Sequence, residues 1–405
     1  MHLKSAFDGL YWAGPQNHFS IQNNYGNTFL FASGAVFLNT QALPFSFTKK
    51  IMQSGFLNNE IKNNAVNKLK DYNGARFGYK YGSGFCTRIK KKEIGLEISE
   101  ESVSILNYRK DLFGLVFFGN ADYEDDTIFM RGSGIINQDF HRARFIFSTI
   151  SGVGDSSWQM NISLSYLQGY HVNVLSVGNA KLYTAPMGEY LWMNSKFIFQ
   201  TNDTTQTGSF AFNGNGISLD LNLAFPAGKS QMMFAINDAG FIHWNNQSLF
   251  YAMDTTLKFE GVELVNVFTD AGSNLQNINT DSIFNYLGVK QNKKGFNVNL
   301  PLRFSFIWHR LLNKNKIGLI GGISFLPQYE NIPMVFCSAT YNFQQIQPAV
   351  TVSYGGFQRF NMGMNVSGKI TKHFKWMLGS NQMLSWLVAD RFSGVDFYSQ
   401  LSYSF

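Results

Sequence analysis

The sequence is short of charge, of cysteine and of long apolar runs, and each shortage excludes a class of protein. Charged residues make up 15% of the 405-residue chain, against the roughly 25% of an ordinary soluble domain. Two cysteines, Cys86 and Cys337, are too few for a disulfide framework, so we expect packed thiols rather than a bridge. No run of about 18 uncharged apolar residues occurs, which excludes a transmembrane helix.

Aromatic residues, in contrast, are abundant, with 40 Phe and 18 Tyr, and Gly, Asn and Ser recur throughout. This composition fits a large β protein that distributes its apolar residues in alternation. The net charge of +7 indicates either anionic lipid or nucleic acid as a partner, or simply scattered loop lysines. The densest cluster, Lys90–Lys91–Lys92, separates two strand-like runs and indicates a hairpin turn, so we expect no nucleic acid partner.

Strict alternation of apolar and polar residues is the main pattern in the chain. In the closing VDFYSQLSYSF, every second residue from Val395 is apolar or aromatic except Ser399, and the residues between are almost all polar. Similar alternation occurs in 75–85, 157–166, 215–226, 296–308 and 362–370. Because successive side chains of a strand point to opposite faces, each run has one apolar and one polar face.

The length of these runs separates a membrane protein from a soluble sheet. At about 9–13 residues they match tilted membrane-crossing strands rather than the ~5–6-residue strands of soluble proteins. Aromatic residues end several runs, as an interfacial girdle requires; they are Trp158, Tyr166, Phe296 and Trp308. Because lipid offers no hydrogen bonds to the backbone, strands cross a membrane only as a closed barrel. The predicted fold class is all-β, a closed antiparallel transmembrane β-barrel of about 14–16 strands.

About sixteen runs are candidate strands, and short members could reduce the number to fourteen. They lie at 28–38, 75–89, 93–100, 139–150, 156–168, 189–200, 216–226, 229–237, 248–261, 295–309, 316–326, 332–343, 347–354, 359–371, 374–387 and 394–405. An even number of strands places both termini on one side. The short turns LLNKNK, QQIQ and TKH are expected together on one side, and LPQYEN and ADRFSG on the other side with the longer 262–294 stretch.

Some segments do not alternate. Residues 54–70 carry apolar residues at near-helical spacing after Ser54, which predicts a short amphipathic helix in a loop or in a plug inside the lumen. Further helical turns are expected within 101–113 and 278–288. The predicted organisation is a single barrel domain over 1–405, with an N-terminal segment at 1–27 and loop or plug inserts at 40–72 and 262–294.

The final strand resembles the last strand of bacterial outer-membrane barrels. Those barrels characteristically end on an aromatic residue, usually Phe, after apolar residues at alternate positions, and the barrel-assembly machinery reads that strand. The matching residues, predicted as a membrane-insertion signal, are Val395, Phe397, Leu401, Tyr403 and Phe405.

Four further stretches carry a more specific resemblance over about residues 70–260. In order they are YRKDLFGLVFFGNADY, FHRARFIFST, YLQGYHVNVLSVGNAKLY and INDAGFIHWNN. With Gly119–Asn120, Phe140–His141 and 238–244, they resemble a poorly characterised family of Bacteroidota outer-membrane barrels. That family is distantly similar to barrels of the gliding and type IX secretion apparatus. The resemblance implies location and architecture rather than an activity.

The 236–246 stretch also predicts a turn with an anchor at the membrane interface or for a partner. Asp238 can hydrogen-bond a turn backbone, Gly240 permits a positive φ, and Phe241 and Trp244 suit an interface. A neighbouring polar group, His243 with Asn245, Asn246 and Ser248, is expected on the periplasmic side.

No constellation in the sequence indicates catalysis. The seven histidines are scattered without metal-ligand spacing, and no nucleophile–base pair or cofactor motif occurs. The acidic stretch Asp122–Asp126 lacks the spacing of a calcium loop. We therefore expect a non-enzymatic protein without metal or cofactor.

Three functions remain open from the sequence. The first is an accessory or scaffold subunit of a larger outer-membrane complex for protein export or assembly, supported by the family resemblance and by lumen positions that are mostly small and neutral. The second is a channel for hydrophobic or small solutes. The third, motivated by basic charge and the lack of a signal peptide, is an import pore of the mitochondrial outer membrane.

Localisation and partners follow from the barrel. The N-terminus MHLKSAFDGLYWAGPQNHF lacks an apolar signal-peptide core, so we expect either a mature form or a barrel that inserts without a signal. The expected location is the bacterial outer membrane. Expected partners are the lipid bilayer, the barrel-assembly machinery and other outer-membrane or periplasmic proteins.

The terminal strand yields the first test. The substitution Phe405→Ser should impair insertion, because it removes the terminal aromatic that the assembly machinery is expected to read. The measurement is the amount of heat-modifiable barrel in isolated membranes. Normal barrel levels in this variant would contradict the proposed role of the terminus.

Overall fold

The computed structural model describes residues 28–54, 56–151, 158–260, 288–313, 316–330, 332–343 and 345–405. Its strands are β1 (Thr28–Thr40), β2 (Tyr72–Ile89), β3 (Lys92–Arg109), β4 (Asp126–Phe129), β5 (Gly134–Ser151), β6 (Trp158–Val177), β7 (Lys181–Thr184), β8 (Leu191–Thr201), β9 (Gly214–Ala227), β10 (Ser230–Trp244), β11 (Leu249–Phe259), β12 (Lys290–Lys293), β13 (Phe296–Asn299), β14 (Arg303–Leu312), β15 (Ile317–Phe325), β16 (Met334–Tyr341), β17 (Ile346–Gly355), β18 (Gln358–Lys369), β19 (Phe374–Ser380) and β20 (Val395–Ser404). Its α-helices are α1 (Phe45–Ser54), α2 (Asn59–Val66), α3 (Lys110–Phe118) and α4 (Met383–Leu387).

The sheet closes on itself because β1 pairs with both β2 and β20. Around the ring the order is β1, β2, β3, β5, β6, β9, β10, β14, β15, β16, β17, β18, β19 and β20, and all neighbours are antiparallel. Short β13 also pairs with β10, beyond the end of β14. This confirms the predicted class, a closed antiparallel barrel, and sets the number of strands at 14.

Two of the sixteen predicted strand segments lie outside this ring. Segments 189–200 and 248–261 form β8 and β11, which pair with each other. Along β6, pairing with β9 ends at Gly169, and β8 pairs with residues 173–177 instead. We call β4, β7, β8, β11 and β12 the side sheet, because they continue from this point away from the ring. Alternation reveals a strand but not the sheet that it joins.

The barrel has its apolar residues outside and its polar residues inside. In β20, the side chains of Phe397 and Leu401 are each 47% exposed, whereas those of Asp396 and Gln400 are 4% and 7% exposed. Strands β6 and β9 alternate in the same way. In β9, for example, Leu219 is exposed and Asp220 is fully buried. A soluble sheet would bury the apolar set. This is the architecture of a membrane-spanning β-barrel.

The apolar belt ends at a visible border on the outer face. Along β3, outward Leu96 and Ile98 are followed by Glu100, whose carboxylate accepts hydrogen bonds from the hydroxyls of Tyr79 at 3.0 Å and Tyr170 at 3.1 Å. Tyrosines therefore mark this border, as expected of an interfacial girdle. Predicted girdle residues Trp158 and Tyr166 are likewise exposed on the outer face.

Phe296 is not a girdle residue, and the prediction for it is wrong. It packs inside against Trp244, with ring centroids 6.5 Å apart. The alternation in 296–308 looks continuous, but the strand is interrupted around Pro301 between β13 and β14. The interruption changes the face, so Val298 points inward while Phe304 points outward.

The two ends of the barrel differ. One end carries the start of β1, the end of β20 and the short connections between β2 and β3, β9 and β10, β14 and β15, β16 and β17, and β18 and β19. At this end the amide of Phe405 donates to the carbonyl of Thr28 at 3.0 Å. The other end, the long-loop end, carries the helices, the side sheet and the 326–333 and 381–394 connections. The predicted placement of these turns is confirmed.

The helix predicted over 54–70 is shorter than expected. It is α2, and its N-cap is Asn58, whose side chain accepts a hydrogen bond from the Ile61 amide at 2.9 Å. Ser54 instead ends α1. The helical turn expected within 101–113 is α3, which follows a strand that runs to Arg109. Residues 1–27 and 261–287, and thus most of the second insert and the turn at 278–288, lie outside the described residues.

The first insert forms an apolar cluster at the long-loop end. Helices α1, α2 and α3 pack together with the end of β3 there. Its buried residues are Leu43, Phe47, Ala65, Leu69, Tyr108 and Phe113. The Lys62 ammonium also donates to the carbonyl of Phe117 at 3.0 Å. Among the residues that the structure describes, no helix has the length and apolar character needed to cross a membrane.

The outer belt yields a test of membrane exposure. Leu164 is 56% exposed in the middle of the outer face of β6. The substitution Leu164→Arg should lower the free energy of unfolding in lipid by about 2–4 kcal/mol, because an arginine at the bilayer midplane loses hydration. The measurement is urea unfolding in vesicles, with Leu164→Phe as the control. An unchanged stability for Leu164→Arg would contradict lipid contact at this position.

Candidate binding site in the barrel lumen

The inner face of the barrel is more charged than the sequence analysis predicted. Seven ionisable side chains from five strands of the ring meet inside, and we call them the ionic cluster. They are Lys80, Glu97, Glu101, Arg142, Arg144, Asp220 and Asp238. The prediction of mostly small, neutral lumen positions is wrong here, because charges that are isolated along each strand become neighbours only when the strands pair.

Arg142 is the centre of one half of the cluster. Its guanidinium contacts Glu101 through Nε at 3.0 Å and through Nη2 at 3.1 Å, and it contacts Asp238 at 2.8 Å. The ammonium of Lys80 lies 3.0 Å from the same Glu101 carboxylate. The side chain of Arg142 is 1% exposed, so these contacts replace its lost hydration.

Arg144 is the centre of the other half. Its Nη1 lies 2.7 Å from Glu97, and its Nε lies 3.4 Å from Asp220. Neither the Arg144 nor the Asp220 side chain has any exposed surface. The cluster thus ties β2, β3, β5, β9 and β10 together across the lumen.

Asp238 reaches this cluster because β10 bulges. The pairing of β10 with β9 shifts between Ile236 and Ala239, and Asp238 has a φ of 57°, a left-handed conformation that Asp tolerates better than most residues. The Asp238 amide donates to Asp220 at 2.8 Å. The predicted turn is therefore a bulge inside a continuing strand.

The other predicted anchor residues also lie in β10. A Cβ on Gly240 would meet the carbonyl oxygen of Ile217 at 2.1 Å, so glycine is required there for close strand approach rather than for a turn. Trp244 is fully buried in an inner apolar cluster that includes Phe140, so it does not lie at the membrane interface. Phe241 is 38% exposed on the outer face, and its role as an anchor remains a prediction.

A cavity of about 100 Å³ lies inside the ring, towards the long-loop end. Its walls come from β1, β2, β14 to β17 and β20, and its rim from the connections after β15, β17 and β19. The lining residues are Asn39, Arg76, Arg303, Ser324, Leu326, Glu330, Met334, Phe336, Thr351, Ser353, Gly355, Phe357, Asn381, Gln382 and Asp396. The cavity therefore combines charged, neutral polar and apolar surface.

The rim of the cavity is held by specific contacts. Asp396 accepts hydrogen bonds from the Ser380 hydroxyl at 2.8 Å, from the Asn381 amide at 2.7 Å and from the Asn381 side chain at 2.8 Å. Gln382 donates to Asn39 across the rim. Gly355 has a φ of 100°, and a Cβ there would meet the Pro333 carbonyl oxygen at 2.2 Å, so only glycine fits this turn.

Other sequence candidates do not form a site. The group around His243 lies at the long-loop end and not with the short turns. Strand β10 begins at the short β9–β10 turn and ends at Trp244, at the opposite end of the barrel. The periplasmic placement depends on the orientation in the membrane and remains a prediction. Within the described ranges, no three His, Cys, Asp or Glu side chains are arranged to hold a metal. Cys86 and Cys337 are thiols and not a disulfide, the first buried and the second exposed.

The sequence matches a family of unknown function, DUF5723, over residues 131–381, more than half of the chain. The chain belongs to this family. The DUF5723 match begins just before β5 and ends after β19, so it includes Arg142, Arg144 and Arg303 but not Arg76. The link to Bacteroidota and to gliding or secretion barrels remains a prediction. No curated protein matches this DUF5723 member.

Several solved barrels have a similar overall shape. The toluene transporter TodX of P. putida matches with a TM-score of 0.48 at 9% identity, over 97% of this chain and 93% of that chain. The Ralstonia pickettii toluene transporter TbuX matches with 0.47 at 11% identity, over 94% and 90%. A FadL homologue of Pseudomonas aeruginosa matches with 0.40 at 8% identity, over 93% and 90%.

The ionic cluster yields a stability test. The substitution Arg144→Leu should lower the free energy of unfolding by about 3–5 kcal/mol, because Glu97 and Asp220 would remain buried without their partner. The control is Lys196→Leu, which removes an exposed ion pair with Asp254 at 3.1 Å and should change stability little. Denaturant unfolding in detergent measures both. Equal, small effects would show that the cluster is hydrated and not buried.

Proposed function

We propose that the protein is a non-catalytic channel of the bacterial outer membrane that admits small solutes through its lumen. The observation that carries this proposal is the cavity inside the ring at the long-loop end, lined by both polar and apolar side chains. Outer-membrane barrels place short turns in the periplasm and long loops outside the cell. On that orientation, the cavity is the first binding surface that a solute from outside would meet.

The outer-membrane location is supported by the belt and by the last strand. The apolar side chains of Phe397, Leu401, Tyr403 and Phe405 are all exposed on the outer face of β20 or just beyond it. Together with Val395 they form the insertion signal that we propose the barrel-assembly machinery reads. The lipid bilayer of the outer membrane is the partner that the belt requires.

The ionic cluster divides the lumen unequally. It fills the side formed by β2, β3, β5, β9 and β10 with paired charges, so a solute path along that side would have to break buried ion pairs. The cavity is lined mainly by the other strands, β14 to β17 and β20, together with β1 and β2. We therefore propose that solutes pass along the inner faces of β14 to β17.

Single-channel recording in a planar bilayer tests this function. The background variant is Cys337→Ser, which removes the exposed native thiol. In it, Ser353→Cys places a thiol in the cavity, and this thiol should react with a charged methanethiosulfonate. The current should then fall, because the added group obstructs the path. The matched control is Lys229→Cys, which places the thiol in the short β9–β10 turn. Modification there should leave the current nearly unchanged.

Deleting residues 54–70 should raise the conductance if the first insert restricts entry. A protein that never conducts would contradict the channel.

A second candidate is the scaffold subunit predicted from the sequence, and the side sheet favours it. This sheet projects from β6 at the long-loop end, and within the described residues its terminal strands β4 and β12 each pair on one side only. Open strand edges are available for pairing with another chain. Gentle detergent extraction followed by mass spectrometry decides between the candidates. A stoichiometric set of other outer-membrane proteins would support the scaffold, whereas a lone conducting monomer would contradict it.

A further inference from the structure

Two arginines, Arg76 and Arg303, line the cavity, and neither forms an ion pair within 4 Å among the described residues. Arg76 is 6% exposed, and among the described residues no carboxylate oxygen lies within 4 Å of its guanidinium. Its guanidinium stacks over the Phe37 ring, 4.8 Å from the ring centroid. The Nε atoms of Arg76 and Arg303 are buried without a hydrogen-bond partner in the described part of the chain, as are those of Arg142 and Arg144, so the four arginines differ in their ion pairs and not in this atom.

The same lumen shows what a satisfied arginine looks like in this protein. Arg142 and Arg144 each contact two carboxylates in the ionic cluster. Arg76 and Arg303 form no such ion pair in the described structure; Arg76 is repelled by Arg303 and attracted by the carboxylates of Glu330 and Asp238, which lie beyond ion-pair distance. Two like charges beside one cavity, with no carboxylate in direct contact, favour the binding of an anion there.

The carboxylates that line the cavity are engaged elsewhere. Asp396 is occupied by the Ser380 and Asn381 groups of the rim. Glu330, in the connection after β15, accepts a hydrogen bond from the Leu326 amide at 3.0 Å. Burial raises the pKa of the Glu330 carboxyl, while the Leu326 hydrogen bond and the two arginines oppose this rise. Neither carboxylate is within ion-pair distance of the arginines in the described structure.

Apolar side chains form the remaining wall of the cavity. Leu326, Met334, Phe336 and Phe357 line it beside the two guanidinium groups. A guanidinium presents planar donors that match a carboxylate, whereas these four side chains present surface that favours a hydrocarbon body. A cavity of about 100 Å³ has room for a small molecule only.

We propose that this cavity binds a small carboxylate with an apolar body, such as an aromatic acid, with its carboxylate on Arg76 and Arg303. The apolar body lies against Leu326, Met334, Phe336 and Phe357. This assigns a substrate class to the proposed channel and rests on that function for its role in transport. The binding site itself requires only the cavity and the two arginines.

Isothermal titration of benzoate into the detergent-purified full chain tests the proposal. Benzoate should bind to the wild-type protein, and the uncharged, similarly shaped benzyl alcohol should bind about tenfold more weakly or not at all, because it cannot pair with the guanidinium groups. Inorganic phosphate should also bind more weakly than benzoate, because it has no apolar body.

Variants then assign the residues. Arg76→Gln and Arg303→Gln should each weaken benzoate binding about tenfold or more, since each removes a charged hydrogen-bond donor. Lys229→Gln, which removes a positive charge at the opposite end of the barrel, should leave binding unchanged. Heat modifiability on gels verifies that each variant is folded. If an Arg→Gln variant does not fold, the corresponding Arg→Lys variant replaces it. The comparison of benzoate with benzyl alcohol on the wild-type protein then still tests whether the carboxylate is recognised.

The proposal would be overturned if the wild type fails to bind benzoate, if benzyl alcohol binds equally well, or if both folded arginine variants bind like the wild type. Tighter binding of phosphate than of benzoate would also overturn it. Conductance distinguishes this failure from failure of the channel. A barrel that conducts but does not bind benzoate retains the proposed function without this substrate class, and one that binds benzoate but never conducts keeps the site without the channel.

Discussion

Closure of the sheet is the constraint on which the rest of this structure depends. A strand in lipid has no water to satisfy its backbone, so every edge in the membrane must be paired. Here that requirement is met where β1 pairs with β20 along residues 29–38, and where the terminal Phe405 amide reaches Thr28. The apolar belt and the polar interior follow, since a closed ring presents one face of every strand to lipid and the other to the lumen.

The polar interior creates a second problem, which the protein resolves differently on its two sides. On the β2–β10 side, basic and acidic side chains from neighbouring strands compensate one another at distances of 2.7–3.5 Å. The bulge at Asp238 contributes to this by turning one more carboxylate inward. On the side formed by β14 to β20, the cavity is lined by Arg303 and, from neighbouring β2, by Arg76, and neither has an ion pair within 4 Å among the described residues. This difference between the two sides underlies the proposed binding of a small carboxylate in the cavity.

Much of the fold was predictable because alternation is a local property. Long runs such as 394–405 and 216–226 predicted strands, faces and the barrel class, and both ends of the barrel could be told apart by turn length. The number of strands was less predictable, because β8 and β11 alternate like the barrel strands but pair outside the ring. The face of Phe296 was also missed, because an interruption near Pro301 reverses the side on which apolar residues lie.

The sequence by itself determined that this chain forms a β-barrel with apolar side chains outward, since that information is in the spacing of residues along each strand. Only the tertiary structure decided which charges meet. Arg144 and Asp220 belong to strands far apart in sequence, and Arg76 and Arg303 are separated by most of the chain. Their relations depend on register and on ring order, which arise from long-range pairing and leave no local pattern that a single sequence could reveal.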